Sequence, residues 1–315
     1  MRNKSLLLIL FSLFTLIPGG CQKEKSEDTE IVIAEQFGLA YAPLQVLKET
    51  GALKDAPEGT RVRWVRTANA TAIREAMAAG RMDIGFMGIP PFLIGADRGM
   101  DWKVFGGLSR SPLGLVTNLP ELRTLQDFAP HHRIALPQPG SIQHILLSMA
   151  AERILGDPQV LDGLLVTLSH PDGMNALLSA TEVSAHFTAP PYLMKELNAP
   201  QGHLLLSGEE AFGGPFTFII GVTSAASAKK VEPFLPFLMK KIDEACVFLN
   251  ENPEEAAKML APSYNLPEEE LLTLLTAEGT RYGTEVLGLN RFIEFMHAAG
   301  YLEQPLSAED LQYRP

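Results

Sequence analysis

Three times within the first hundred residues a short apolar run stops at a turn and gives way to a helical stripe, and that repetition restricts the chain to few folds. Ile31 to Glu35 reads as a first strand. Ala40, Pro43, Leu44 and Leu47 then share one helical face, with Pro43 suited to a first turn and Gly51 closing the segment. Arg61 to Arg66 alternates polar and apolar residues as a second strand, followed by the stripe Ala72, Ile73, Ala76, Met77 and Gly80. Asp83 to Met87 is a third strand, ending in Gly88-Ile89-Pro90-Pro91, where another helix should start. Strands alternating with helices predict an α/β fold with mostly parallel sheets covered by helices. All three turns fall at the carboxyl ends of strands, the edge where open α/β sheets hold ligands.

A second unit repeats the alternation. It contains a strand over Arg133 to Leu136, the stripe Ile142, Ile145, Leu146, Met149, Ala150, a strand near Leu164 to Leu168, a short helix with Met174, Leu177 and Leu178, and a strand over Val183 to Phe187. With 315 residues and 46% of them apolar, the chain can bury a large core, and at ~150 residues per domain two lobes are expected. Lys103 to Val116 reads as paired strands or one long extended segment leaving the first lobe. After His203 to Ser207, the Gly-rich stretch Gly208 to Pro215 and the apolar run Phe216 to Thr223 read as the return crossing. From Ala228 onward helices are predicted to the end, with starts at Pro233, Pro253 and Pro267. The predicted boundaries are residues 31–111 plus 216–315 for lobe 1 and 112–215 for lobe 2.

The N-terminus carries an export pattern. Arg2 and Lys4 precede an apolar stretch, Leu6 to Ile17, that is short for a bilayer span, and Gly19 and Gly20 lead to Cys21. Ile17-Pro18-Gly19-Gly20-Cys21 resembles a bacterial lipobox, although Pro18 departs from the usual aliphatic residue. The resemblance implies a signal peptide over residues 1–20, acylation of Cys21 and a membrane-anchored, exported protein, with residues 21–30 as a polar tether. With Cys21 acylated, only Cys246 remains and no intramolecular disulfide can form. Cys246 shares a stripe with Leu235, Leu238, Ile242, Ala245 and Leu249, which makes it a core thiol. A net charge of −11, with 26 scattered Lys and Arg, argues against nucleic-acid partners.

Four segments carry a resemblance over nearly the whole mature chain: Glu35-Gln36-Phe37-Gly38-Leu39-Ala40-Tyr41-Ala42-Pro43-Leu44; Gly80-Arg81-Met82-Asp83-Ile84-Gly85-Phe86-Met87-Gly88; Leu125-Gln126-Asp127-Phe128 leading to Pro139-Gly140-Ser141; and Glu182-Val183-Ser184-Ala185-His186-Phe187 before Pro190-Pro191-Tyr192. In their order and spacing they resemble the periplasmic-binding-protein-like solute receptors of the sulfonate, taurine, nitrate and thiamine-precursor group that serve ABC importers. The resemblance implies two α/β lobes of the type II periplasmic-binding-protein-like fold, two crossings, a ligand in the cleft, permease and ATPase partners, and a monomer. Closure would hinge near Ser109 to Gly114 and Phe212 to Phe216, with Ser109, Arg110, Phe212, Gly213 and Gly214 as hinge residues.

A cleft where several helices begin offers unpaired N–H groups and positive dipole ends, which suit an oxyanion. The candidate ligand contacts are Gln36 and Phe37 after the first strand, Asn69 and Thr71 after the second, and Gly88 and Ile89 after the third. The second lobe adds Gly140, Ser141, Gln143, Thr188 and Tyr192. Ser141, Asn69 and Thr71 equally suit helix starts, and Phe37 and Tyr192 equally suit a core. His186 fits a buried, hydrogen-bonded histidine, while Arg110 could neutralise an anion or bridge the hinge. His131 and His132 would diverge in an extended segment, and no metal site is expected.

The expected ligand is therefore a small anion of the alkanesulfonate, taurine or nitrate type. Phe37, Tyr41, Phe86, Tyr192 and Phe212 could instead sandwich a thiamine-precursor pyrimidine or another flat heterocycle. Thiamine pyrimidine synthases share the resemblance but use a lysine-linked pyridoxal phosphate and a cysteine-rich iron motif. This chain has no clustered cysteines, so an enzyme is not expected and no cofactor is implied. A sensor domain is the remaining alternative to an importer component.

Overall fold

The computed structural model describes residues 29–180 and 182–314. Strand β1 (Thr29–Glu35) is buried along its last five residues, as a strand covered on both faces must be. The chain turns through α1 (Ala42–Glu49), which carries Pro43 in its first turn, into β2 (Thr60–Arg66), which alternates in burial as an edge strand does. After α2 (Ala70–Ala78), β3 (Ile84–Gly88) is wholly buried and leads directly into α3 (Ile89–Asp97). Strands β1, β2 and β3 are mutually parallel, and their helices cross over between them.

Strand β4 (Trp102–Arg110) completes the outward path of this sheet, and three residues later β5 (Gly114–Thr117) already belongs to a second sheet. The segment read as paired strands or one long extended run is therefore two strands, not paired with each other but split between sheets. The second sheet then gathers β6 (Ile134–Leu136), α4 (Ile142–Leu155), β7 (Leu165–Thr167), α5 (His170–Leu178), β8 (Ala185–Thr188), α6 (Tyr192–Leu197) and β9 (His203–Ser207). After α7 (Gly208–Phe212) the chain returns as β10 (Ile219–Ser224), which inserts antiparallel between β3 and β4. The sheets have strand orders β11-β4-β10-β3-β1-β2 and β7-β6-β8-β5-β9, so each is an α/β lobe with two chain passages between them. Backbone hydrogen bonds join the passages at both ends, Phe218 N–H to Ser109 O (2.8 Å) and Gly208 N–H to Leu113 O (2.7 Å).

The C-terminal part follows as α8 (Ala225–Val231), α9 (Leu235–Glu251), α10 (Pro253–Tyr264), α11 (Glu268–Leu275), β11 (Arg281–Tyr282) and α12 (Leu289–Ala298). Helices dominate as expected, but β11 pairs with β4, and Gln312 bridges Val104, so this region also finishes the first sheet. All six residues of the α9 stripe are buried, Cys246 among them; burial pushes its thiol up to about 12, with Asp243 nearby as a lesser cause. None of the described helices is long and apolar enough to cross a membrane.

Two expectations need correction. The tether was expected to reach Glu30, yet Thr29 and Glu30 already pair with Thr60 and Arg61, and the Glu30 carboxylate accepts from Arg61 (2.7 Å) and Arg63 (3.0 Å). Rows of paired backbone outweigh the polar character of two residues at a strand start. The rings of His131 and His132 do not diverge, since the segment is a turn and their centroids lie 4.1 Å apart. The signal segment and Cys21 lie outside the described residues.

Candidate functional site

Between the two sheets lies a cavity lined by residues of both. The first lobe contributes Gln36, Phe37, Tyr41, Ala68, Ala70, Gly88, Pro91, Phe218 and Ile219, and the second contributes Pro137, Gln138, Ser141, Ile142, Gln143 and His170. Most stand at strand ends or in the first turns of α2, α3, α4 and α5. Neither a carboxylate nor a lysine nor an arginine is among the described lining residues. The open space is narrow, a cavity volume of ≈ 30 Å³. That is room for about two or three waters.

The lobes touch around this cavity. Leu39 N–H donates to Pro190 O (3.1 Å), and Thr71 N–H, in the first turn of α2, donates to Gln138 Oε1 (3.0 Å). Gly38 stands at φ 122°, a conformation other residues rarely adopt, immediately before this contact. A Cβ on Gly88 would sit 3.3 Å from Ile142 Cβ, so α4 packs closely on the end of β3.

Gln138 is 4% exposed, and its Nε2 has no hydrogen-bond partner among the described residues. A buried amide N–H left unpaired costs about 1–3 kcal/mol. The cavity wall thus holds a donor in want of an acceptor. Helix α4 begins beside it: the Ser141 hydroxyl accepts from His144 N–H (3.3 Å), leaving the N–H groups of Ile142 and Gln143 directed forward without an intrahelical acceptor. Helix α3 is a poorer anion site because Pro90 and Pro91 carry no N–H.

Behind the second wall runs a buried polar chain. Gln143 Nε2 lies 3.2 Å from His170 Nε2, His170 Nδ1 lies 3.4 Å from His186 Nε2, and His186 Nδ1 lies 2.6 Å from Glu196 Oε1. The Thr188 hydroxyl is 3.3 Å from His170 Nδ1, and the Tyr192 ring stacks on His170 at 5.9 Å. His186 and Glu196 are fully buried, and Glu196 Oε2 has no partner among the described residues. Burial pushes the Glu196 carboxyl up to about 9 and holds His186 down at about 3. Burial, with His186 as a lesser cause, also brings His170 to about 3. Burial thus disfavours a net charge on this chain of groups.

The first wall is arranged differently. Glu35, 1% exposed, is paired with Lys48 and Arg66 and accepts from Gln45 Nε2 (2.7 Å). Arg66 also lies over the Phe37 ring at 5.6 Å, and its guanidinium is already neutralised by Glu35. Gln36 Nε2 donates to Phe86 O (3.4 Å).

Of the eleven expected contacts, Gln36, Phe37, Gly88, Ser141 and Gln143 line the cavity, and Asn69, Thr71, Ile89, Gly140, Thr188 and Tyr192 do not. Asn69 caps α2 by accepting from Ala72 N–H (3.1 Å), and the Thr71 hydroxyl accepts from Arg74 (3.2 Å). Ile89 is core, and Gly140 N–H donates to His144 Nδ1 (2.9 Å). Thr188 and Tyr192 contact His170 instead. Arg110 stands at the end of β4 beside β11, away from the lining. The aromatic sandwich does not assemble: Phe86 packs on Phe105, and Phe212 on Phe216 and Phe292, leaving Phe37 and Tyr41 at the cavity. Sequence reasoning missed Gln138 and His170. Gln138 directly precedes the Pro139-Gly140-Ser141 turn and His170 opens a helix behind Ser169, so position after a strand was the available signal.

The sequence pattern of the NMT1-like family matches residues 24–261. No curated protein matches the sequence. Among solved structures, the fold is similar to the alkanesulfonate-binding protein SsuA of Xanthomonas axonopodis pv. citri bound to MOPS, with a TM-score of 0.75, 22% identity, and coverage of 92% of this chain and 99% of that one. The aliphatic sulphonate-binding protein SsuA of Escherichia coli gives 0.68 at 18% identity, covering 91% and 92%. The nitrate-binding protein NrtA of Synechocystis PCC 6803 gives 0.66 at 15% identity, covering 90% and 84%.

Proposed function

Since this chain belongs to the NMT1-like family and has the fold of periplasmic solute-binding proteins, we propose that it is the extracytoplasmic receptor of an ABC importer and captures a small anion of the alkanesulfonate, taurine or nitrate type. One observation carries the ligand class: the cavity shared by both lobes is lined with amide, imidazole and helix-start N–H groups, with no carboxylate among its described lining residues. Such donors stabilise an oxyanion without a fixed positive charge, so release needs only the parting of the walls. The solved relatives named for sulfonate and nitrate support the same class.

Gln36, Phe37, Gly88, Ser141 and Gln143, joined by Gln138 and His170, would meet the ligand. The lobes would comprise residues 31–111 with 216–315, and 112–215, moving about the passages at Ser109, Arg110, Phe212, Gly213 and Gly214. Contacts from both walls make the closed form the tighter binder, and that differential affinity drives closure. Export with a lipid at Cys21 would hold the monomer near its permease and ATPase. The narrow cavity favours a compact anion over a thiamine-precursor pyrimidine.

A thermal-shift series with nitrate, taurine, ethanesulfonate and a hydroxymethylpyrimidine tests the assignment. A ligand at 100 times its Kd stabilises by about 2.7 kcal/mol. At least one anion should raise Tm; a rise with the pyrimidine alone would overturn the anion assignment.

A further inference from the structure

We propose that Glu196, which does not line the cavity, is the positioning residue that fixes His170 as a hydrogen-bond donor toward it. The inference rests on the anion reading for its functional meaning, while its structural content is separate. His186 stands between the two groups, with Nδ1 on the Glu196 carboxyl (2.6 Å) and Nε2 on His170 Nδ1 (3.4 Å). The ring cannot turn out of this arrangement: a Cβ on Gly173 would lie 2.6 Å from its Nε2, so α5 is pressed against it.

The pair of Glu196 and His186 has two neutral states in which the short contact uses the carboxyl proton. In one, the carboxyl keeps its proton and donates to Nδ1, so His186 carries its hydrogen on Nε2. In the other, the proton has moved to Nδ1 and the imidazolium carries hydrogens on both nitrogens. Either way His186 Nε2–H donates to His170 Nδ1. Two other states would reverse this direction. A carboxyl protonated on Oε2 and accepting from Nδ1–H through Oε1 would bury a hydroxyl that finds no acceptor among the described residues. A net negative pair, an ionised carboxylate beside neutral His186, would leave a charge in a fully buried site with one carboxylate oxygen unpartnered, the costliest of the four. The upward displacement of Glu196 agrees. Among the described residues no cation offsets such a charge: Arg66 is committed to Glu35, and Lys195 on α6 is exposed, as is the acidic Asp172 on α5.

With Nδ1 accepting, neutral His170 must carry its hydrogen on Nε2. Gln143 Nε2, which can only donate, stands 3.2 Å from that nitrogen, so this tautomer requires either that the amide turn over and offer Oε1 or that both N–H groups meet one acceptor in the cavity that the two residues line. A carboxyl remote from the ligand thereby sets the polarity of the cavity wall, selecting solutes that accept hydrogen bonds and holding that choice constant near neutral pH.

Long-range ¹H–¹⁵N NMR of the unliganded protein reads the ring tautomers directly. We expect His170 protonated on Nε2 and unprotonated on Nδ1 from pH 6 to 8, both in the wild type and in Glu196→Gln, whose amide N–H replaces the carboxyl donor. In Glu196→Ala, His186 loses its Nδ1 partner and the His170 tautomers should mix. Calorimetry with ethanesulfonate should show about a tenfold weakening for Glu196→Ala and a change within about threefold for Glu196→Gln. Finding wild-type His170 protonated on Nδ1, or as imidazolium, would overturn the inference, and so would mixed tautomers in Glu196→Gln. If Glu196→Ala does not fold, the wild type and Glu196→Gln still decide it. Retention of the tautomer with no anion binding would defeat the ligand assignment alone.

Discussion

Both lobes bury polar side chains, but they do so to opposite ends. In the first, Asp83 accepts from Val32 N–H (2.8 Å), Ser227 Oγ (3.2 Å) and Lys230 Nζ (2.7 Å), tying β1, β3 and α8 together. Glu35 is likewise surrounded by Lys48, Arg66 and Gln45. These carboxylates have partners of opposite charge and little to offer a solute. In the second lobe, Gln138 Nε2 and Glu196 Oε2 have no partner among the described residues, and His170 opens onto the cavity. Fully paired polar groups hold a fold together, whereas incompletely paired ones cost stability, and of these Gln138, in the cavity wall, is the one a ligand could complete.

The contrast is broken most forcefully at Asp83. Asp83→Ala strands the buried Val32 N–H and the Lys230 ammonium, and should cost about 3 kcal/mol in urea unfolding. Its anion affinity, measured well below the midpoint, should stay within about twofold, because a self-contained network does not reach the ligand. A larger loss of affinity would show that the first lobe's pairs are not purely structural.

His170→Ala should do the reverse, weakening binding of the responding anion about thirtyfold in calorimetry, since one direct donor and the end of the buried chain are lost together. Gln138→Ala should follow with about a tenfold loss, because it removes both a cavity donor and the acceptor of Thr71 N–H between the lobes. Relief of its unpaired N–H should leave Tm equal to or above that of the wild type. A lower Tm with unchanged affinity would move Gln138 from the binding wall to the scaffold.

The smallest effect concerns pH. Between about 3 and the ordinary histidine value of 6.5, unfolding lets His170 and His186 take up protons, so their contribution to stability increases with pH. Glu196 acts oppositely. Its folded value is raised from 4.5 to about 9, so unfolding releases a proton between those limits and stability declines as pH climbs through them. Two rising slopes and one falling slope give a net increase up to about 6.5, then a decline toward 9. Tm should therefore peak near pH 6.5, and Glu196→Gln should flatten the alkaline side. A wild-type Tm that keeps rising to pH 9 would mean that Glu196 is ionised in the folded protein.

Much of the scaffold was legible because local chemistry and tertiary demand agree there. The buried run Ile31 to Glu35, the Asn69 and Ser141 caps, and the α9 stripe each encode their element within one or two turns of chain. Short spacing also placed Gln36, Gly88, Ser141 and Gln143 near strand ends, where the cavity forms. The same logic named Asn69 and Thr71, which do not line the cavity, and the helix-start role it also offered them is the one seen: Asn69 caps α2 and the Thr71 hydroxyl meets Arg74.

What the sequence settled by itself was the alternation of strands and helices, their turns and the general edge at which a cleft would open, all set by periodicity and capping over a few residues. Only the tertiary structure decided that β10 inserts between β3 and β4, that Phe86 and Phe212 go into packed aromatic clusters, and that His170, His186 and Glu196 form one line. The three last residues come from separate elements, and no local rule links them. Their alignment follows from how α5, β8 and α6 pack within the second lobe, and Gln138 beside them meets Thr71 of the first lobe, so neither arrangement exists until the elements that bury those groups are in place.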